Sequence, residues 1–230
     1  MVDSASQNLL LERLPLQDRA WLMTEATLFP FAMGHVFSEP GDPVSHVHFI
    51  RSGVVSAVAV MEDGRTVETF MIGREGVTDV FAAAPALRGF SRLVAQTAGE
   101  SWRIEVGRLR SAMETRPAVR EAMAGYGAAL QSELEQSIAC NALHRAEQRF
   151  AKWLLRCHDR LEGDTLNLTQ EYLASMLGSQ RTTVNEAAQG LQRAGAIVYS
   201  RGKITITSRP ALERAACECR HGGVRPERRG

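Results

Sequence analysis

Apolar and polar positions change their period twice along the chain. From Asn8 to Ala26 the apolar residues Leu9, Leu10, Leu14, Leu16, Trp21, Leu22 and Ala26 recur at helical spacing, which predicts one helix. From Leu28 to Val106 the runs are short, alternating or β-branched, and are punctuated by Gly34, Gly41-Asp42, Ser52-Gly53, Asp63-Gly64, Gly73, Gly76 and Gly99. Strands separated by turn residues at this interval predict a β-sandwich or barrel. Asp63-Gly64, between Val58-Ala59-Val60 and Val67-Glu68-Thr69-Phe70, is a hairpin turn signal. Gly99, between Leu93-Val94-Ala95 and Trp102-Arg103-Ile104, is expected to close another.

After Val106 the period becomes helical. Pro117 suits a first helical turn, where its missing N–H costs nothing. Val119, Met123, Tyr126, Leu130, Leu134 and Ile138 then form a single apolar stripe, opposite Glu121, Gln131, Glu133, Glu135 and Gln136. Such a stripe packs either on its own β-domain or on the same helix of a second subunit, and the second is the expectation here. A further helix, about His144 to Leu161, turns Ala146, Phe150, Trp153, Leu154 and Cys157 inward and stops at Gly163-Asp164.

The block from Leu166 to Ile206 is the most informative. Leu166-Asn167-Leu168 reads as a short strand. Thr169 is placed to cap a helix from Gln170 to Leu177, with Glu171 in its first turn. Gly178 ends that helix and permits the left-handed turn of a helix-turn-helix. A second helix runs from Ser179 or Gln180 to Ala194, burying Val184, Ala187, Ala188 and Leu191. Its other face presents Gln180, Arg181, Thr182, Thr183, Asn185, Glu186 and Gln189, side chains suited to base edges and phosphates. Ile197 to Ile206 then reads as a hairpin with Arg201-Gly202-Lys203 at its tip, a basic wing beside a recognition helix. Each piece alone has a packing explanation, but their order points to double-stranded DNA.

Charge agrees with this. The net charge of +1 conceals 15 Lys+Arg against 9 Asp+Glu in residues 140–230, and 12 against 17 in residues 1–139. A basic C-terminal third suits a polyanion. No uncharged apolar run reaches the ~18 residues of a membrane span, and Met1 to Leu16 does not read as a signal peptide, so a cytoplasmic protein is expected. Four cysteines, Cys140, Cys157, Cys217 and Cys219, are too few for a disulfide framework.

Leu168-Thr169-Gln170-Glu171-Tyr172-Leu173-Ala174, followed by Leu177-Gly178-Ser179-Gln180-Arg181-Thr182-Thr183-Val184, resembles the helix-turn-helix signature of the Crp/Fnr superfamily of bacterial regulators. Phe37 to Asp42, Val47 to Val55, Asp63-Gly64-Arg65 and Gly73-Arg74-Glu75-Gly76 resemble its cyclic-nucleotide-binding-type β-roll, so the likeness covers about residues 8–220. It implies an α+β chain. Residues 1–110 form a jelly-roll-like β-roll sensor domain, 111–142 a dimerisation helix, 143–220 a winged helix-turn-helix domain and 221–230 a disordered tail. The function implied is sequence-specific transcriptional regulation by a homodimer on a palindromic operator, with RNA polymerase a further partner of an activator. By position, Arg181, Thr182 and Glu186 fall where the family reads bases, and Gln180 and Thr183 where it holds phosphates. Asn185, Thr169, Arg201 and Lys203 complete the expected DNA contacts.

The sensor is less legible. Family members that bind cyclic nucleotides hold the phosphate with Gly-Glu and then an arginine followed by a small hydroxyl residue. Here Glu75-Gly76 is followed by Arg88-Gly89-Phe90-Ser91-Arg92, which puts Gly89 at the arginine position. Glu75, Gly76, Arg88, Ser91 and Arg92 remain the candidate effector pocket. No cysteine precedes Cys140, against an N-terminal iron–sulfur cluster. His35, His46 and His48 read as surface histidines, Cys140 and Cys157 as buried small hydrophobes. Cys217-Glu218-Cys219 with His221 reads as incidental rather than as a thiophilic metal site, so no cofactor and no metal are assigned. The alternative function is a cyclic-nucleotide-binding module acting through protein contacts. No nucleophile elbow, P-loop, paired catalytic carboxylates or zinc-hydrolase spacing occurs, so no enzyme is expected.

Overall fold

The computed structural model describes residues 7–82, 88–89, 91–168 and 170–221, excepting the side chains of 170, 171 and 221. The disordered-tail expectation, the Thr169 cap, the side chains of Glu171 and His221, and Phe90 lie outside the described residues. The chain forms two compact units. The first holds the N-terminal helices and strands to Ala57 with Phe70–Gln131, and the second Val58–Thr69 with Ser132 onward.

In the first unit the single expected N-terminal helix is two, α1 (Leu9–Glu12) and α2 (Leu16–Glu25). Pro15 causes the break: its ring biases Leu14 away from helical dihedrals, and Pro15 itself sits at the N-cap of α2 with ψ 143°. Strands β1 (Thr27–Phe31), β2 (Val36–Ser38), β3 (His46–Ser52), β4 (Val55–Val60), β5 (Thr66–Ile72), β6 (Arg92–Ala95) and β7 (Gly99–Glu105) follow. They form two antiparallel sheets, ordered β1-β7-β3 and β2-β6-β4-β5. Asp63-Gly64 turns β4 into β5 as expected, with the Met61 amide donating to the Arg65 carbonyl at 2.8 Å. The hairpin expected at Gly99 does not form. β6 and β7 lie in different sheets, so Gly99 begins a strand after a crossing. A Cβ there would stand 2.2 Å from the Ser52 carbonyl oxygen, and only glycine admits so close an approach.

Phe31, Ile50, Val55, Ala57, Ile72, Leu93 and Ala95 from both sheets interlock as the core, with Phe29, Phe37 and Phe70 against it. Asn8, fully buried, joins the N-terminal helices to this body. Its Nδ2 donates to the Ile50 and Gly76 carbonyls, both at 2.8 Å, and its Oδ1 accepts the Leu11 amide at 3.0 Å.

α3 (Val106–Thr115) leads to the long α4 (Pro117–Leu143). α4 is not a unit of its own, for it belongs to the first unit up to Gln131 and to the second beyond. Val119, Met123, Tyr126 and Leu130 are buried within the single chain, Leu134 is half-buried, and Ile138 is 70% exposed. Most of the stripe expected to meet a second subunit therefore packs on its own chain, where apolar surface is already at hand. Tyr126 lies so close over Gly76 that a Cβ there would meet its hydroxyl at 2.2 Å.

The second unit contains α5 (Ala146–Arg160), β8 (Thr165–Asn167), α6 (Gln170–Leu177), α7 (Arg181–Arg193), β9 (Ile197–Ser200), β10 (Lys203–Ile206), α8 (Arg209–Ala215) and a 3-10 turn (Glu218–His221). α5 packs on α6, α7 and α8, and β8-β10-β9 form a small antiparallel sheet. Glu133 and Arg156, both buried, form an ion pair between α4 and α5. No helix of the described residues is long and apolar enough to cross a membrane.

Replacing Asn8 with Ala strips two buried carbonyls of a donor at once. It should destabilise the protein by ~2–4 kcal/mol in chemical denaturation, and a loss below about 0.5 kcal/mol would contradict the role given to this side chain.

Candidate nucleic-acid interface

α7 forms because its apolar residues fall every three or four positions. Val184, Ala187, Ala188 and Leu191 are buried, and α5 covers them with Phe150 and Leu154 among its buried residues. The approach is closest at Gly190, where a Cβ would stand 2.8 Å from the Glu147 carboxylate. Burying that face turns the other one out. Gln180, Arg181, Thr182, Glu186 and Gln189 are exposed, and Thr183 and Asn185 are half-buried. Gln180 occupies the N-cap of α7 without a side-chain cap bond.

The turn before α7 has the left-handed glycine that the sequence implied: Gly178 has φ 57°. Sequence reasoning missed what secures it. Arg149 of α5 donates from Nη1 to the Leu177 carbonyl at 3.3 Å and to Asn141 Oδ1 at 2.9 Å, and from Nη2 to Ser179 Oγ at 3.2 Å. One guanidinium thus closes the end of α6 and holds the residue before the recognition helix begins. A polar residue at a half-buried helical position was the available signal, and its partners are distant in sequence.

The wing is joined to the same frame. The Tyr199 amide donates to Gln192 Oε1 of α7 at 2.8 Å, and the Leu168 amide to the Gly202 carbonyl at 2.7 Å. Arg201 has φ 51° and Gly202 φ 75°, the paired positive φ values of a two-residue hairpin turn. Arg201 and Lys203 are exposed at the tip. Helix face and basic tip thus belong to one rigid element set within the second unit.

The candidate effector residues are not gathered in this way. Glu75 is buried with Oε1 accepting the Gly73 amide at 3.0 Å, and lines a cavity of 370 Å³ beside Leu10, Arg13 and Tyr126. Arg88, Ser91 and Arg92 are not among that cavity's walls. Arg88 donates to the Gly41 carbonyl at 2.7 Å, and Arg92 pairs with Glu39 at 2.8 Å. The Gly76 backbone is covered by Tyr126.

Of the histidines read as surface residues, His48 is buried. Its Nδ1 lies 3.0 Å from Ser101 Oγ, and its ring stands edge-on to Phe29 and Phe37. Burial first, and then the charges of Arg103, His46 and His35, hold its pKa down to about 3. Cys157 is fully buried, and that burial pushes its thiol well up. Cys140, His144, Cys217 and Cys219, by contrast, converge: their donor atoms all lie within 4.8 Å of one another.

The Crp-like helix-turn-helix domain family matches residues 148–215. A global nitrogen regulator of Synechococcus elongatus is 25% identical over 191 residues, covering 79% of this chain and 86% of the relative. The structure of FixK2 from Bradyrhizobium japonicum superposes with a TM-score of 0.71 at 18% identity, covering 84% of this chain and 98% of its own. A Crp/Fnr-family transcriptional regulator from Eubacterium rectale gives 0.69 at 19% identity, covering 92% and 99%. The two structures share this fold.

The His48 shift carries a definite sign. Its folded pKa lies below the unfolded value, so below about pH 6.5 the unfolded chain takes up a proton that the folded one refuses. Stability should fall as pH drops from 6.5 toward 3, by up to ~1.4 kcal/mol per pH unit from this group. His48→Asn, which keeps a nitrogen near Ser101, should lose less stability between pH 7 and pH 4.5. Parallel profiles for the two proteins would refute the assignment.

Proposed function

We propose that this chain, a Crp/Fnr-type transcription regulator with a helix-turn-helix DNA-binding domain, acts as a homodimer reading a palindromic operator. The observation that carries the reading is the outward polar face of α7, which packs on α5, beside the basic wing, which is bonded to α7. Arg181 at the start of α7 donates two hydrogen bonds to guanine O6 and N7. Glu186, one turn further along, accepts from cytosine N4, and Thr182 touches the neighbouring base. Gln180, Thr183 and Asn185 hold phosphates, as do Arg201 and Lys203 on the flanking backbone. Twofold symmetry sets the half-sites ~34 Å apart, one helical turn of DNA.

The dimer contact uses the part of α4 that its own chain leaves uncovered. Ala124, Gly125, Ala128 and Ala129 are exposed and small enough for close helix approach, and Ile138 is exposed further along. The alternative, a module acting through a bound cyclic nucleotide, draws no support from the candidate effector residues, of which Glu75 lines a cavity that Arg88, Ser91 and Arg92 do not.

Two outcomes test this reading. On a selected palindrome, Arg181→Ala should weaken specific binding by ~1–3 kcal/mol and change nonspecific affinity less, while Lys203→Ala should weaken both alike and lower the salt slope by about 1. Mobility shifts across a salt series measure both, and equal loss on specific and random DNA for Arg181→Ala would contradict base reading. In sedimentation, Ile138→Glu should move a folded protein toward monomer because the seam cannot pair the charge. Leu130→Glu should lower the melting temperature instead, since that side chain is already buried within the single chain. A dimer undisturbed by Ile138→Glu would remove this face from the interface.

A further inference from the structure

Three cysteines and a histidine, unrelated to the DNA-facing surface, meet where α4 ends and the described C-terminal segment returns to it. Cys140 and His144 are four residues apart and share one helix face, and the His144 amide still donates to the Cys140 carbonyl at 3.1 Å. Cys217 and Cys219 flank Glu218 at the start of the 3-10 turn. All three cysteines are buried and form a cluster of their own. Cys140 Sγ lies 3.6 Å from Cys217 Sγ, and Cys219 Sγ lies 3.6 Å from His144 Nδ1. The other nitrogen of His144, Nε2, lies 3.2 Å from Glu218 Oε1.

The two 3.6 Å separations match those between ligands of one metal ion, and the other ligand pairs lie within 4.8 Å. With zinc–sulfur bonds of ~2.3 Å and zinc–nitrogen bonds of ~2.0 Å, the edges of a tetrahedron are roughly 3.5–3.8 Å. Packing alone accounts for buried sulfur, but not for an imidazole nitrogen turned into a three-sulfur cluster while a carboxylate holds its opposite edge. That carboxylate–histidine pairing fixes the ring and its tautomer as metal sites do. A disulfide would need two sulfurs at ~2.05 Å and would leave the third sulfur and the histidine without a role. Soft thiolates with one imidazole select zinc or a similarly thiophilic divalent ion over magnesium or calcium.

We infer that Cys140, His144, Cys217 and Cys219 form a four-coordinate site for a thiophilic divalent metal ion, zinc above all. His144 binds through Nδ1 and donates its Nε2–H to Glu218. With four protein ligands the site is closed, as in structural rather than catalytic zinc centres. Loading releases the thiol protons to solvent, leaves the metal charge unchanged and consumes no other reactant. The ion joins residues 77 apart in sequence across the Cys140–Cys217 contact, so that everything from α5 to α8 lies inside the loop it closes.

The test uses the full-length chain, reduced and stripped of metal, titrated with Co²⁺ and then Zn²⁺. One Co²⁺ per chain should bind with the strong visible bands of tetrahedral thiolate coordination, and Zn²⁺ should displace it and raise the melting temperature. Cys140→Ser and Cys219→Ser should abolish stoichiometric uptake, and Cys157→Ser, altering a thiol outside the cluster, should retain it. Glu218→Gln alters an exposed residue without removing a ligand and should weaken Zn²⁺ binding by about 10–100-fold while keeping the spectrum. It decides the matter even if a cysteine variant fails to fold. Absence of uptake by the reduced wild type, a weak octahedral spectrum, uptake undiminished in Cys219→Ser, or unchanged affinity in Glu218→Gln would each overturn the site. Metal uptake is read without DNA, so its outcome is independent of the operator hypothesis.

Discussion

The burial of one face of α7 against α5 is the constraint on which the second unit depends. A helix of this length cannot stand alone in water, and packing of its apolar stripe supplies what propensity lacks. Val184, Ala187, Ala188 and Leu191 are small or compact, so the two helices approach closely, and Gly190 lets them close on Glu147. Once that face is committed, the azimuth of every other side chain follows from the helical repeat. Arg181, Thr182 and Glu186 are presented outward because the residues between them are not free to turn. Arg149, reaching the end of α6 and Ser179 at once, removes the remaining freedom in the angle between the two helices.

How much of this was legible in the sequence depended on the range of the interaction. The helix-turn-helix is local: the helix period, a glycine with positive φ and a two-residue hairpin tip are each written within a few positions. Gly178, Asp63-Gly64 and the wing accordingly formed as expected. Strand pairing is not local. Gly99 carries the same turn signal as Gly64, yet its neighbours join different sheets, because the pairing partners of β7 lie at Thr27–Phe31 and His46–Ser52. The stripe on α4 shows the same limit. Periodicity states that a face is buried, and is silent on whether the covering surface comes from the same chain or another. Val119, Met123, Tyr126 and Leu130 are already buried within the single chain.

Buried polar groups mark the second kind of illegibility. Asn8 and His48 look like surface residues by type, and both are buried with partners far along the chain. Each has partners inside the protein, Asn8 two carbonyls and an amide, and His48 a serine hydroxyl at Nδ1 while its ring stays neutral. These residues explain how the first unit is fastened, but its candidate effector groups are engaged elsewhere. Arg92 is paired to Glu39, and Glu75 faces the helices rather than Arg88. The β-roll therefore supplies shape more plainly than it supplies a ligand.

The cysteine cluster joins both themes. Cys217-Glu218-Cys219 read alone offers two sulfurs and an uncertain histidine, which is too few ligands to matter. The other pair, Cys140 and His144, sits at helical spacing at the far end of α4, where packing is a sufficient reading of Cys140 and the helix period says nothing of a ligand at His144. Only the fold, by returning the C-terminal segment past α5, brings the two halves within reach. That return has a mechanical consequence whatever ion is held. α4 leads into α5, α5 carries the recognition helix, and the segment after α8 closes back on the end of α4. The position of α7 is then constrained from both termini of its own unit, whereas an open C-terminus would leave the α4–α5 junction to set it alone. A bond made or lost at the cluster would act on that junction, which Arg149 in the first turn of α5 spans by its bond to Asn141.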